Sequence, residues 1–451
     1  MSIRNLLVAL LATTLLWSCK DDDDDHLNVD EVIQLAADFM GGEDNIMATN
    51  SMKYDISGDR YIANEAKVIG ETMKMSSFTG TMSYDFENDH LLTEYVRDPY
   101  LLEGSGAQLI YKEIIREDLA YMDGADHLLF LPSHDMLSDR MQSIKKQTYL
   151  SNPQFVMRDV LGNTALVTLA NDTEKIGGDD HYILQFEHDV YRTIYIAVNE
   201  DDGMISEISV MEHTHLFGDQ MIDVKLSNWE AAGDIMFAAN LEIHNHGQAS
   251  RIVARSNAEV NPSFAAGHFD FPAAAAPAYD NMLADRGEKM AQFYQEFTEI
   301  GIPPEGIQSF VDALEVGTGI WHVHGGSHHS LVIEQENGVV VVEPPLYQER
   351  SEAVIEWINN TVGKPITHMI VTHHHDDHIG GLRDYVNAGA KIVINERASD
   401  IVDEIVASER TIWPDALAAN PTTADKMLVD DNGTLTPVSY THLTLPTSYP
   451  V

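Results

Sequence analysis

The chain has one cysteine, Cys19, in 451 residues, which excludes an internal disulfide framework and any Cys-rich zinc module. Cations are scarce too. Lys and Arg number 27 against 72 Asp and Glu, for a formal net charge of −45. That excess argues against sequence-independent binding to nucleic acid, whose phosphates need Lys and Arg. It equally disfavours electrostatic docking on anionic lipid. What is present is ordinary for a globular protein: 44% hydrophobic and 22% charged residues, so the acidity reads as a solvated surface that keeps the chain soluble. At roughly 100–200 residues per domain the length suggests two or three domains.

The lone cysteine is explained by its position. Arg4 supplies a positive n-region, and Leu6 to Trp17 form an apolar run too short to span a membrane as a mature helix. Leu16-Trp17-Ser18-Cys19 then resembles the lipobox of bacterial lipoproteins, in which the signal (1–18) is removed and the Cys19 thiol carries the lipid anchor. Lys20 and the run Asp21 to Asp25 make the following segment, 19–28, an extended self-repelling tether. The run is also similar to the Lys-plus-acidic signal by which some Gram-negative lipoproteins reach the cell's outer face. The resemblance implies a lipid-anchored outer-membrane protein exposed at the cell surface.

Residues 29–272 read as a β-rich domain. It opens with a helix, Val32, Ile33, Leu35, Ala36, Phe39 and Met40 at helical spacing, stopped by Gly41-Gly42. Arg192 to Val198 and Met204 to Met211 flank a turn at Asn199 to Gly203, a hairpin pattern. Repeated strand-turn-strand units without intervening helices predict one large antiparallel sheet, curved or half-closed. The turn and aromatic positions Thr193–Val198, Asp202-Gly203, Gly218-Asp219, Asn228-Trp229, Asn261-Pro262 and Phe269 to Pro272 resemble the β-domain that precedes some secreted metallohydrolase domains, itself similar to the half-barrel of lipoprotein carriers. His213 with His215, and His244 with His246, each put two imidazoles on one strand face; lacking a third ligand in view, they read as polar groups on a solvated face. Pro272 to Pro277 is a low-complexity joint. The segment 273–311 continues with an amphipathic helix whose Met290, Phe293, Tyr294 and Phe297 are expected in a core.

The strongly chemical stretch is Thr372-His373-His374-His375-Asp376-Asp377-His378. An apolar, β-branched run from Ile366 precedes it. Gly380-Gly381 follows, then Leu382, Tyr385 and Val386 at helical spacing, and a strand at Lys391 to Ile394. The cluster therefore sits on the loop leaving the carboxyl end of a strand and entering a helix, where α/β sheets place their sites. Imidazoles and carboxylates at this density suit zinc, with iron or manganese also accommodated by a mixed donor set. Alternate side chains, His373 and His375, can face one ion, and Asp377 with His378 a second.

The pattern His-x-His-x-Asp-His after an apolar strand and Thr resembles the signature of the metallo-β-lactamase superfamily. Gly319 to His324, Ser330 to Glu334 and Val339 to Val342 are similar to its first strands, and Ser351 to Ile358 to the helix that follows. Glu343 stands where many members carry a buttressing Asp. The resemblance implies that His373, His375, Asp377 and His378 bind two divalent metal ions. It also makes Asp377 the catalytic group, which orients a water activated between them for attack on an ester, thioester, lactone or lactam. His374 and Asp376 would support the site or stand exposed. His322, His324, His328 and His329 read as cleft-lining surface histidines.

The family fold is a duplicated αβ/βα sandwich, and residues 312–437 span its first half. The expectation is therefore an α+β protein, an antiparallel β-rich domain followed by a truncated sandwich, whose remaining ligands are not in the chain as written. Residues 438–451 contain no Asp, Glu, Lys or Arg, and Val438 to Leu443 resembles the translation of a transposon-end adaptor, so that stretch is read as a non-native tail. His442 is accordingly not counted as a ligand. The alternative reading is a lipid-anchored binding module whose β-domain holds an apolar ligand beside a non-catalytic metal-binding remnant. No nucleic-acid partner is expected, and the small-molecule substrate is left open. One thiol carries the whole membrane attachment, so Cys19→Ser is expected to move the protein out of the outer-membrane fraction; unchanged fractionation would refute the anchor.

Overall fold

A computed structural model describes residues 27–127, 133–300, 306, 309–430, 434–435 and 443–444. The signal segment, Cys19, the acidic run and His442 lie outside the described residues. Thr434–Leu435 and Leu443–Thr444 pair as two short antiparallel strands.

The helix Val29–Phe39 forms as its spacing predicts. Asn28 and Glu31 close a capping box at its start, and Val32, Ile33, Ala36 and Ala37 are buried. Gly41 ends it with φ 110°, at a spot where a Cβ would sit 2.3 Å from the Asp234 carbonyl oxygen, so glycine is required twice over.

Beyond it lies a sheet of fourteen strands among the described residues, with every neighbour antiparallel. The first long strand, Ser51–Ala63, pairs with the last, Gln248–Val260, in its middle, and meanders run outward on both sides. The hairpin around Asn199 to Gly203 is formed by Arg192–Asn199 and Ile205–Thr214. One expectation fails: helices do intervene. Ser138–Leu150 and Pro153–Gly162 separate the two meanders and share the sheet's apolar core through Met141, Ile144, Phe155 and Val160. The first has no apolar stripe, because nearly all of its residues are buried, including Asp139, Arg140 and Lys146. Its charges are answered by buried partners, such as Lys146 Nζ at 3.2 Å from Glu212 and 3.1 Å from Glu288. Periodicity cannot reveal a helix buried on every side. The helices also fill the sheet's interior. Among the described residues, a cavity among Tyr54, Phe78, Tyr95, Leu241 and Arg251 measures about 50 Å³, room for a few waters.

The second sheet has seven strands in sequence order from Asp312–Gly317 to Lys426–Val429. Its first pairings are antiparallel. From Gly338–Val342 onward they are parallel, Val341 opposite Met369 and Met369 opposite Ile392. Helices Gln348–Thr361, Leu382–Asn387 and Ser399–Ala407 cover one face through Val354, Ile358, Leu382, Tyr385, Val402 and Ile405. The protein is thus α+β, a large antiparallel domain followed by a smaller mixed sheet with helices. Leu216 and Phe217, at the tip of a first-domain hairpin, are buried in this second core.

Between the two sheets runs the helix Ala291–Ile300. Met290, Phe293, Tyr294 and Phe297 form a core with Leu346, against Tyr347 and Trp413, as their spacing predicts. Its acidic side faces the first domain. Glu299 Oε1 lies 2.7 Å from Arg60 Nη1 and 2.6 Å from Arg97 Nη1, and Ser76 donates to Oε2 at 2.7 Å. Burial alone would raise this carboxyl, but the guanidinium groups of Arg97 and Arg60 outweigh it and hold Glu299 below the usual range. Glu299→Gln would leave two buried cations short of a counter-charge, and a loss of about 3–5 kcal/mol in urea unfolding is expected. A depressed carboxylate stabilises above its unfolded pKa and stops doing so as pH falls through the folded one. The gap between parent and variant should therefore close in acid, and a gap independent of pH would exclude the ion pair as its source.

Candidate metal centre

The strand Ile366–Ile370 is the second of four parallel strands, buried at Met369 and Ile370, and its carboxyl end releases the chain at Val371. The turn that follows is held by the neighbouring loop, residues 343–347. Glu343 Oε1 accepts from the Thr372 N–H at 2.9 Å, Leu346 N–H donates to the Asp377 carbonyl at 3.0 Å, and Gly381 N–H to that of Pro344 at 3.0 Å. Glu343 and Leu346 both take φ 69°, a left-handed backbone that non-glycine residues adopt at a cost. Glu343 Oε2 also contacts His378 Nδ1. Glu343 therefore ties the backbone of the turn to the His378 ring.

The four expected ligands converge. The rings of His373 and His375 lie 4.6 Å apart and those of His373 and His378 4.1 Å. Burial, with His378 and His375 adding, brings His373 down to about 4, and burial also lowers His375. Neutral imidazoles of this kind are the form that binds a cation. Asp377 behaves oppositely. Burial would raise it, but the hydrogen bond from His328 and the neighbouring histidines keep its carboxyl low.

Residues outside the expected ligand set complete the arrangement. His328 Nε2 lies 2.9 Å from Asp377 Oδ2, so this histidine is part of the cluster and not a bystander. His328, Asp377 and His378 can offer three donor atoms within 4.8 Å of one another, and so can Glu343, His373 and His378. Glu65, from the first domain, forms a third such group with His375 and Asp377. His322, His324 and His329 group together, with rings 4.1–4.9 Å apart. The donor set of the loop fits a divalent cation: imidazole nitrogens and carboxylate oxygens converge, and Asp377 Oδ1 is buried with no hydrogen-bond partner.

The intervening residues are not exposed. His374 Nε2 donates to the Ala66 carbonyl at 3.0 Å, and Asp376 Oδ1 lies 2.6 Å from His215 Nε2 with both side chains buried. His213 is buried as well, 3.3 Å from Asp219 and 3.4 Å from Arg410. The reading of His213 and His215 as solvated is therefore corrected: the second domain docks on that strand face. His244 and His246 remain half-buried, beside Glu242 and Glu404.

Residues 325–402 match the sequence profile of the metallo-beta-lactamase superfamily, and the His373–His378 motif lies inside that match. The uncharacterized protein YobT of Bacillus subtilis is 36% identical over 70 residues, 15% of this chain and 29% of that protein. A LolA superfamily protein from Nitrosomonas europaea aligns with 55% of this chain and 99% of its own at 9% identity and a TM-score of 0.33. A metallo-beta-lactamase from Pontibacter korlensis covers 28% of this chain at 18% identity and a TM-score of 0.22. FIM-1 of Pseudomonas aeruginosa, solved in a mono-zinc form, covers 28% at 18% identity and 0.21. The chain spans 29% of YobT and just over half of the two lactamases, 56% and 55%.

The loop's geometry depends on Gly380, where a Cβ would sit 1.7 Å from the Leu346 carbonyl oxygen. Backbone cannot yield as a side chain does. Gly380→Ala is expected to lower stability by about 1–3 kcal/mol in urea unfolding and to weaken metal retention; a variant equal to the parent in both would show that the 343–347 loop does not hold the turn.

Proposed function

We propose that the complete gene product works as a metal-dependent hydrolase, with His373, His375, Asp377 and His378 as ligands of two divalent ions, zinc by choice of donors. The observation that supports it best is the convergence of those four side chains at a strand's carboxyl end, within a segment matching the superfamily. Bound ions would supply an acidified water and charge stabilisation for an oxyanion. The chain's own part is positional. Glu343 fixes the His378 ring, the 343–347 loop fixes the Asp377 backbone, and the free Asp377 Oδ1 is the acceptor that orients the attacking water. Substrates of the ester, thioester, lactone or lactam type fit this chemistry, since each passes through an oxyanion.

On the same proposal the protein is anchored in the outer membrane through Cys19, exposed at the cell surface, and has no nucleic-acid partner; the lipobox-like Leu16 to Cys19 and the charge of −45 support this. The alternative of an apolar-ligand carrier draws no support from a cavity of about 50 Å³. The test is direct. Replacing His373 and His375 together with Ala should remove most bound metal by elemental analysis and abolish turnover across ester, thioester, lactone and lactam panels. A chelator should do the same to the parent, reversibly on adding zinc. Equal metal in variant and parent would reject the ligand assignment.

A further inference from the structure

The loop by itself offers few donors: His373 and His375 for one ion, Asp377 and His378 for a second, with His375 and Asp377 close enough to face an ion together. A catalytic zinc normally keeps three protein ligands and an open position. His328 brings the second set to three from within the same domain. A third donor beside His375 and Asp377 comes from the other sheet. The connection between Ser51–Ala63 and Thr72–Asp85 reaches across, and Glu65, 7% exposed, enters the cluster. Its Oε1 accepts from the Asp376 N–H at 2.8 Å, and its Oε2 lies 3.6 Å from His375 Nδ1.

We propose that Glu65 is a metal ligand supplied by the first domain to the centre on the second, completing a three-donor set with His375 and Asp377. The inference rests on the reading of the His373–His378 loop as a metal centre. Three independent features carry it. The donor atoms of Glu65, His375 and Asp377 lie within 4.8 Å of one another. Asp377, 9% exposed, presents a buried Oδ1 that no hydrogen bond satisfies. Finally, among the described residues no Lys or Arg pairs with Glu65, so a buried carboxylate faces Asp376 and Asp377 without a cation of the protein's own. Carboxylate oxygens and an imidazole brought together in this way are the donors that a divalent ion takes. Position is not accidental either. Asn64, at φ 64°, donates its side-chain amide to the His374 carbonyl, and the Ala66 carbonyl accepts from the His374 ring, so Glu65 is fastened to the loop on both sides.

The experiment compares the full chain with Glu65→Gln, Asn64→Ala and the His373→Ala/His375→Ala pair, using Zn²⁺ in chelator competition and Co²⁺ for its visible ligand-field spectrum. Gln keeps the size of Glu65 and an acceptor for Asp376 N–H but loses the charge. Zinc affinity should fall roughly 10–100-fold, the scale on which even supporting groups of a metal site act, and the cobalt spectrum should shift, with far-UV circular dichroism unchanged. Asn64→Ala, which loosens the clasp and keeps the carboxylate, should retain the parent's spectrum. Parent-like affinity and spectrum in Glu65→Gln would overturn the inference, as would the same spectral change in Asn64→Ala. Should the Gln variant not fold, Glu65→Asp decides instead: a shifted cobalt spectrum supports ligation and the parent's spectrum overturns it. Metal lost in the histidine pair but kept in Glu65→Gln would sink only this inference. Absence of binding in the parent would sink the metal-centre reading with it.

Discussion

A single buried carboxylate, Glu299, holds two guanidinium groups of the first domain, and the placement of the His373–His378 loop builds on it. Arg60 and Arg97 tie the helix Ala291–Ile300 to the large sheet at Glu299. Its opposite face then sets Phe293 and Phe297 against Tyr347, at ring distances of 5.9 and 5.8 Å, and packs Leu346. Leu346 in turn holds the backbone of Asp377. Electrostatics at one face of a ten-residue helix is thus passed on as packing at the other. Two arginines on one carboxylate leave the cluster one charge positive, and the Ser76 hydroxyl satisfies the second oxygen.

Much of the second domain was legible because its signals are local. Val339 to Val342, Ile366 onward and Lys391 to Ile394 are short β-branched runs with turn residues between them. They became the parallel strands Gly338–Val342, Ile366–Ile370 and Lys391–Asn395. The candidate loop was legible for the same reason, since its four proposed donors fall within six consecutive residues, His373 to His378. The helix Ser138–Leu150 was not. Its sequence is polar on every side, and what buries it is the combination of the large sheet with the helices Asn281–Lys289 and Ala291–Ile300, which no short window contains.

The site's other participants were invisible for a related reason. Glu65 stands 310 residues before His375, and His215 stands 161 before Asp376. Neither lies in a motif of its own. His215 even reads as solvated from its strand alternation, because alternation reports which face a side chain takes and not what later covers that face. A buried pair such as His215 and Asp376 records the docking of one domain on another. Sequence spacing within either domain carries no trace of it.

The hairpin tip at Leu216 and Phe217 has a consequence for how the molecule is made. Those side chains belong to the second core although they precede it by about a hundred residues, and Asp219 binds the backbone of Thr411 and Ile412. Gly218 sits where a Cβ would meet the Glu409 carbonyl at 2.1 Å, so the tip is fitted closely to its socket. Since translation delivers the amino-terminal sheet first, the tip is already exposed when the later strands leave the ribosome. It offers an apolar surface on which they can pack. A gene fragment encoding the second domain alone would lack the two side chains that the first domain lends to its core.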